Sequence, residues 1–418
     1  MKIRNNELNP KIFEEMPQRR YDVDALRVFA VILLIYFHTA MIFNIWSVFH
    51  LKNNELSLEA AIFVSFLNIW HMPLFFFLAG ISTYYALDFR KGREYSKERV
   101  SRLLIPLIFG ILIIVPPQVY FERLAWWSET RQSPINFNGS YLEFYPQFFV
   151  GIYPNGNLSW HHLWFLWYLF FISLLALPLF LKLKKEKGKQ QISALANNFE
   201  KGRKIFLFSI PLIVVNVSLR WIFPESHNFI FDWAAILHFL LIFIFGFLIV
   251  SDSRFENSIA RNKGLALFFG IAIAIFTLTF DVLIYTSSTS NASSAINIIN
   301  NPNILILLYI VGMVLWSFCV WCWLIAFLGY GRKFLNKQNS FINYASKIAL
   351  PYYILHQTII IVIAFYVIQW ETSILVKYLI ITTAALFITF FLCEFIKTNN
   401  LTRFMFGMKL VKREKEVE

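Results

Sequence analysis

The chain has 418 residues, of which 58% are hydrophobic, 19% aromatic and 15% charged, and its formal net charge is +13. A soluble domain carries about 45–50% apolar and about 25% charged residues. The 47 Phe and 13 Trp therefore exclude an ordinary soluble surface, and the same numbers exclude disorder, collagen and a disulfide-stapled scaffold. What remains is an all-α, polytopic integral membrane protein with the lipid bilayer as its partner. Its positive charge is read by distribution along the chain, and no nucleic acid is expected.

The first twenty residues are polar and lack the apolar run of a cleavable signal, so 1–20 reads as a cytoplasmic segment and the first span as its own signal. Crossing the hydrocarbon layer takes about twenty apolar residues. Ten stretches qualify: 25–46, 60–86, 103–122, 160–181, 204–223, 233–250, 264–285, 303–328, 348–368 and 374–395. Pro73 predicts a kink in the second. The hydrophilic stretch 123–159 is too short for a separate domain. The organisation is thus a membrane domain over 21–396 and a basic cytoplasmic tail over 397–418. With the N-terminus inside, 32 of the 38 Lys and Arg fall on cytoplasmic segments. Lys52, Arg123, Arg131, Arg220 and Lys377 fall outside, and Arg27 lies within the first span. That bias predicts ten transmembrane helices with both termini cytoplasmic.

Ionisable side chains within spans are costly and are functional candidates. Arg27 sits near the inner end of the first span and His38 eleven residues on, about 16 Å along a helix. Asp24 precedes Arg27 by one turn. His71 in the second span reaches a depth similar to His38, and His356 lies in the ninth. His71 and His238 could equally bond a neighbouring helix. His161 and His162, flanked by Trp160 and Trp164, read as an interfacial aromatic belt, and His50 and His227 as solvated. Asp281 and Glu394 could cap or pair near span ends. Cys319 and Cys322 have C-x-x-C spacing but no second ligand pair, so with Cys393 they read as apolar core and no metal site is assigned. Arg99 and Arg102, spaced i, i+3, share one helix face and suit a phosphate-bearing ligand; the alternative is an ordinary positive-inside loop.

The stretch YDVDALRVFAVILLIYFHTA (21–40), with Arg27 and His38, resembles the opening of the acyltransferase-3 family of integral-membrane acyltransferases. HMPLFFFLAG (71–80) is similar to the family's Phe-rich second span. ERVSRLLIP (98–106) is similar to its R-x-x-R motif through Arg99, Arg102 and Pro106. HLWFLWYLFF (162–171) and ALPYYILHQ (349–357), the latter with Leu-His through His356, are similar to two later segments. Ala25 and Ala79 stand where many members carry Gly and Ser.

The resemblance implies an O-acyltransferase of the cytoplasmic (inner) membrane with no bound cofactor. Its donor substrate would be an acyl-CoA, acetyl or succinyl, and its acceptor the hydroxyl of a glucan or other cell-envelope carbohydrate. It implies His38 as general base, or as the site of an acyl-His intermediate. Arg27 would anchor the donor or position the base, and Arg99 and Arg102 would hold the donor's phosphates. Asp24, His71 and His356 would support them. The reading from another class is a saccharide exporter or flippase.

Overall fold

A computed structural model describes residues 19–125, 127, 135–228, 230–289 and 301–411. Most of the N-terminal segment and the end of the basic tail lie outside them. The helices, in chain order, are α1 (Tyr21–Phe43), α2 (Leu58–Phe89), α3 (Gly92–Leu124), α4 (Tyr141–Gln147), α5 (His161–Leu183), α6 (Glu186–Glu200) and α7 (Lys204–Leu219). Then come α8 (Trp233–Ile249), α9 (Ser253–Thr289), α10 (Pro302–Phe334), α11 (Ser340–Val367), α12 (Ile374–Ile396) and α13 (Asn400–Met405). Among the described residues there is no β-strand, only two isolated bridges, Asn44 with Ser57 and Ile152 with Leu158.

Each of the ten apolar stretches forms a helix, but they are not equal. Eight helices (α1, α2, α3, α5, α9, α10, α11, α12) are long and apolar enough to cross a membrane. The stretches at 204–223 and 233–250 yield the shorter α7 and α8. Arg220 and the polar residues Glu225, Ser226, His227 and Asn228 lie between these two.

Local chemistry sets several ends. Ser57 caps α2 by accepting from the Ala60 amide at 3.0 Å, and Asn339 caps α11 by accepting from Ile342 at 3.1 Å. The other end of α1 is closed by Lys52, whose ammonium donates to the carbonyls of Met41 (2.9 Å), Ser47 (3.0 Å) and Asn44. A cation at a helix C-terminus satisfies orphan carbonyls and complements the dipole. The loop 44–57 is thereby folded back over α1, with the Asn53 amide on Ile42 O at 3.0 Å. In α3 the pitch loosens twice into π-turns, at Val100–Leu104 and Gly110–Ile114. Pro73 is accommodated inside the continuous α2.

Lipid offers no hydrophobic drive between helices, so close backbone approach and shape decide packing. The tightest contact is between α2 and α8. A Cβ on Gly80 would lie 2.0 Å from Phe243 O, and one on Gly246 would lie 2.1 Å from Phe77 O. The two glycines are reciprocal: each receives the other helix's backbone. Around this pair α1 packs on α2 and α11, and α11 on α12. The α9–α10 pair sits at the rim, where Phe268, Ile275 and Phe276 are exposed as lipid-facing residues must be. Asn216 ties α7 inward, donating to His238 Nδ1 and Ser317 Oγ, both at 3.0 Å. His238 is thus a buried link between α7, α8 and α10.

Candidate functional site

A cavity of about 820 Å³ lies among α1, α2, α5, α11 and the loops that follow α1, α4 and α7. By alternation of the helices these loops share one face, opposite to the N-terminus of α1. Of the eight histidines in the sequence, His38, His50, His71, His161, His162 and His227 line the cavity.

His38 is half-buried on α1. Its Nδ1 faces Leu34 O one turn back at 3.0 Å and His356 Nε2 at 3.3 Å. A carbonyl only accepts, so the proton is assigned to Nδ1 by the hydrogen-bond pattern. His356 agrees. Its Nδ1 faces Tyr353 O at 2.5 Å, which places its own proton there and leaves Nε2 as the acceptor for His38. The consequence is a lone pair on His38 Nε2, the atom a general base needs, with no hydrogen-bond partner among the described residues.

His356 is fully buried behind His38 on α11, and its ring stands 5.1 Å from that of His162. His162 Nε2 donates to Ile354 O at 3.0 Å, and Tyr353 hydroxyl donates to the His162 carbonyl. These bonds tie α5 to α11 and fix the layer that supports His38. His71 takes the structural option: its Nε2 donates to Ala30 O at 2.7 Å, joining α2 to α1.

Arg27 lies toward the other end of α1, about 16 Å from His38 along the helix. It donates to Asp24 at 3.2 Å and to Ser82 Oγ at 2.6 Å. Asp24 also holds Arg19 at 2.8 Å. Nearby, the Arg99 guanidinium lies over the Tyr95 ring at 4.7 Å. Glu98 faces Arg90, Arg99 and Arg102 at 3.3, 3.5 and 3.6 Å. One carboxylate among three guanidiniums leaves the patch cationic, and Arg27 is close enough to Arg99 to repel it. Arg99 Nε is buried with no hydrogen-bond partner. Arg102 sits in the first π-turn of α3. The sequence-predicted residues thus form two groups at opposite ends of α1, with His38 and His356 in one and Asp24, Arg27, Arg99 and Arg102 in the other.

Three of the sequence expectations change. His161 and His162 are buried cavity residues, 9% and 5% exposed, with the rings of His50 and Tyr153 packed on His161 and that of Tyr353 on His162. His50, expected in solvent, is 7% exposed, since the loop that Lys52 anchors folds it under. Its Nδ1 faces Glu122 Oε2 and Tyr153 hydroxyl, each at 3.2 Å. His227 is half-buried: its ring stacks on Trp164 with centroids 4.2 Å apart, and its carbonyl accepts from Trp160 Nε1 at 2.9 Å. With the Arg220–Glu225 pair at 2.7 Å, this makes an aromatic and polar rim at the cavity mouth. Of the fully buried pair Glu122 and Arg123, Glu122 was passed over in the sequence and Arg123 was named only as an outer-side charge. The signals were a tandem His-His and a charged pair closing a span, neither of which specifies a partner.

Fold and site together define a multi-helix membrane protein with a histidine-floored cavity on one side and a cationic patch near the other. The acyltransferase domain family (acyltransferase-3) matches residues 20–396, and the chain belongs to it. Among curated relatives it is similar to "Glucans biosynthesis protein C" of Escherichia coli O6:K15:H31 (strain 536 / UPEC), 23% identical over 414 residues, covering 96% of this chain and 97% of that one. The protein of the same name from Shigella dysenteriae serotype 1 (strain Sd197) is 22% identical over 413 residues, with the same coverage of both chains. No solved structure matches the chain.

Proposed function

We propose that this membrane acyltransferase moves an acetyl or succinyl group from acyl-CoA, bound at the cytoplasmic face, to a hydroxyl of a glucan or other envelope carbohydrate entering from the opposite face. The observation that carries the reading is the free Nε2 lone pair of His38 at the floor of the cavity, with the cationic Arg27–Arg99–Arg102 patch near the other end of the same helix. His38 Nε2 takes the proton from the acceptor hydroxyl, whose oxygen attacks the thioester carbonyl. The C–S bond breaks, and the CoA thiolate leaves with a proton. His356 accepts from His38 Nδ1 and holds that tautomer through the cycle. A CoA carries its thioester on a long pantetheine arm, so phosphates held by Arg99 and Arg102 leave the acyl group deep in the membrane domain. Fork-shaped guanidiniums match phosphate oxygens.

The positive-inside bias supports ten crossings of the cytoplasmic membrane, with α7 and α8 as the two short ones and both termini inside. Mass spectrometry of envelope glycans from cells with and without the gene tests the reading. The expected outcome is an acetyl or succinyl mass increment that disappears with the gene. Unchanged modification alongside altered surface display of the glycan would favour an exporter.

A further inference from the structure

We propose that His50, Glu122 and His161 form a binding site for a divalent transition metal of the zinc class at the wall of the cavity. The three side chains are 7%, 0% and 9% exposed, and one candidate ligand atom from each lies within 4.8 Å of the others. His50 Nδ1 stands 3.2 Å from Glu122 Oε2. Two ligands on one tetrahedral ion, each bonded at about 2.1 Å, are about 3.4 Å apart. Small side-chain movements therefore close the triad on an ion.

The second observation is an orphan. His161 Nε2 is buried with no hydrogen-bond partner, an arrangement that costs free energy unless something occupies it. The other ring nitrogen, Nδ1, faces Ser159 Oγ at 2.8 Å, and that same oxygen accepts from the His161 amide at 3.1 Å. Ser159 Oγ keeps a second lone pair that can accept from an Nδ1–H, so a metal at Nε2 would select that tautomer with Ser159 as its acceptor. Metal-bound histidines are oriented in this way by their second nitrogen. Glu122 is oriented too: Tyr153 hydroxyl donates to Oε1 at 2.9 Å and Arg123 pairs with Oε1 at 3.3 Å, leaving Oε2 toward His50. The backbone of His161 is held at φ +41°, a left-handed conformation that a non-glycine residue adopts only when its surroundings impose it.

Two imidazoles with one carboxylate suit Zn²⁺ or its neighbours, whereas Ca²⁺ and Mg²⁺ ask for oxygen shells. Three protein ligands leave one position, and because His50 and His161 line the cavity that position opens into it, available to water or a substrate oxygen. The site joins the loop after α1, the end of α3 and the start of α5, which are far apart in sequence, so no ligand spacing announces it. It stands independently of the acyl-transfer reading.

The test is Zn²⁺ binding to the full chain, purified without a histidine tag, stripped with chelator and re-equilibrated with Zn²⁺ alone. One zinc per chain by elemental analysis is expected, with a Zn²⁺-dependent rise in melting temperature. Co²⁺ in its place should give the visible d–d bands of a tetrahedral site. Ser159→Ala should weaken Zn²⁺ binding about 10–100-fold, the usual cost of losing an orienting partner. His161→Ala and the near-isosteric Glu122→Gln should weaken it further. Wild-type protein that retains no stoichiometric Zn²⁺ overturns the proposal. So does a folded Glu122→Gln or His161→Ala variant that binds as the wild type does, or cobalt that shows only the spectrum of the free ion.

Discussion

Replacing His38 by Ala removes one lone pair and the contacts of a half-buried ring, whose Nδ1 faces Leu34 O within α1 and His356 Nε2 on α11. A positioned general base contributes about 10²–10⁴-fold in rate. His38→Ala should therefore lower acyl transfer by that factor while insertion and expression stay normal, as read by acylation assays on membranes matched for protein level. Near-normal acylation would remove His38 from the chemistry. His38 and Arg27 were legible in the sequence because an ionisable group inside an apolar span is anomalous wherever it occurs. His50, Glu122 and His161 were not, because what makes them a group is the folding of three distant segments onto one wall. The proton assignment on His38 was also out of reach: it depends on the ring facing Leu34 O, with His356, 318 residues away, in accord.

At the scale of helices, the reciprocal glycines make a sharper statement than any apolar run. Gly80 meets Phe243 O and Gly246 meets Phe77 O at distances a Cβ cannot occupy, and in both cases the obstacle is backbone. Gly80→Ala must push α8 away from α2, and α2 carries His71 and its bond to Ala30. Overpacking of this kind costs typically about 1–3 kcal/mol, so a lower melting temperature in detergent is expected, and Gly246→Ala should do the same. Because both act on one contact, the double variant should lose less than the sum of the two single effects. An additive result would place the two glycines in separate contacts. The sequence marked HMPLFFFLAG, a motif ending in Gly80 within the second span, but could not name the partner helix. It also cut α3 and α9 short, since hydropathy stops at the first charged turn while the helix continues through Arg99 to Gly92 and through Lys263 to Ser253. The π-turns of α3 leave no periodicity for a sequence to show.

Over the whole molecule, the proposed reaction needs two faces, and the arginines of α3 test both orientation and chemistry. In the proposed reaction the donor carries several phosphates and cannot cross lipid, so its headgroup would dock at the guanidiniums. Tags placed after residues 190 and 418 should report the cytoplasm, and one near 140 the opposite side; labelling of residue 190 but not 140 by an impermeant reagent would invert the arrangement. Glu98 is shared among Arg90, Arg99 and Arg102, so these charges are only partly neutralised and remain available to an anion. Losing one charge-assisted contact costs about 1.5–3 kcal/mol, roughly ten- to a hundredfold in affinity. The double change Arg99→Ala, Arg102→Ala should weaken acyl-CoA binding by at least that factor, measured directly on purified protein. Lysine at both positions separates the two roles of these residues. It keeps the positive charge that orients the span, so topology and expression should match the wild type, yet it replaces each planar fork by a point charge. Binding should therefore recover only in part. If Lys restores wild-type affinity, charge alone holds the donor. If even the alanine pair binds as tightly as the wild type, Arg99 and Arg102 serve the orientation of α3, and the donor's phosphates rest elsewhere.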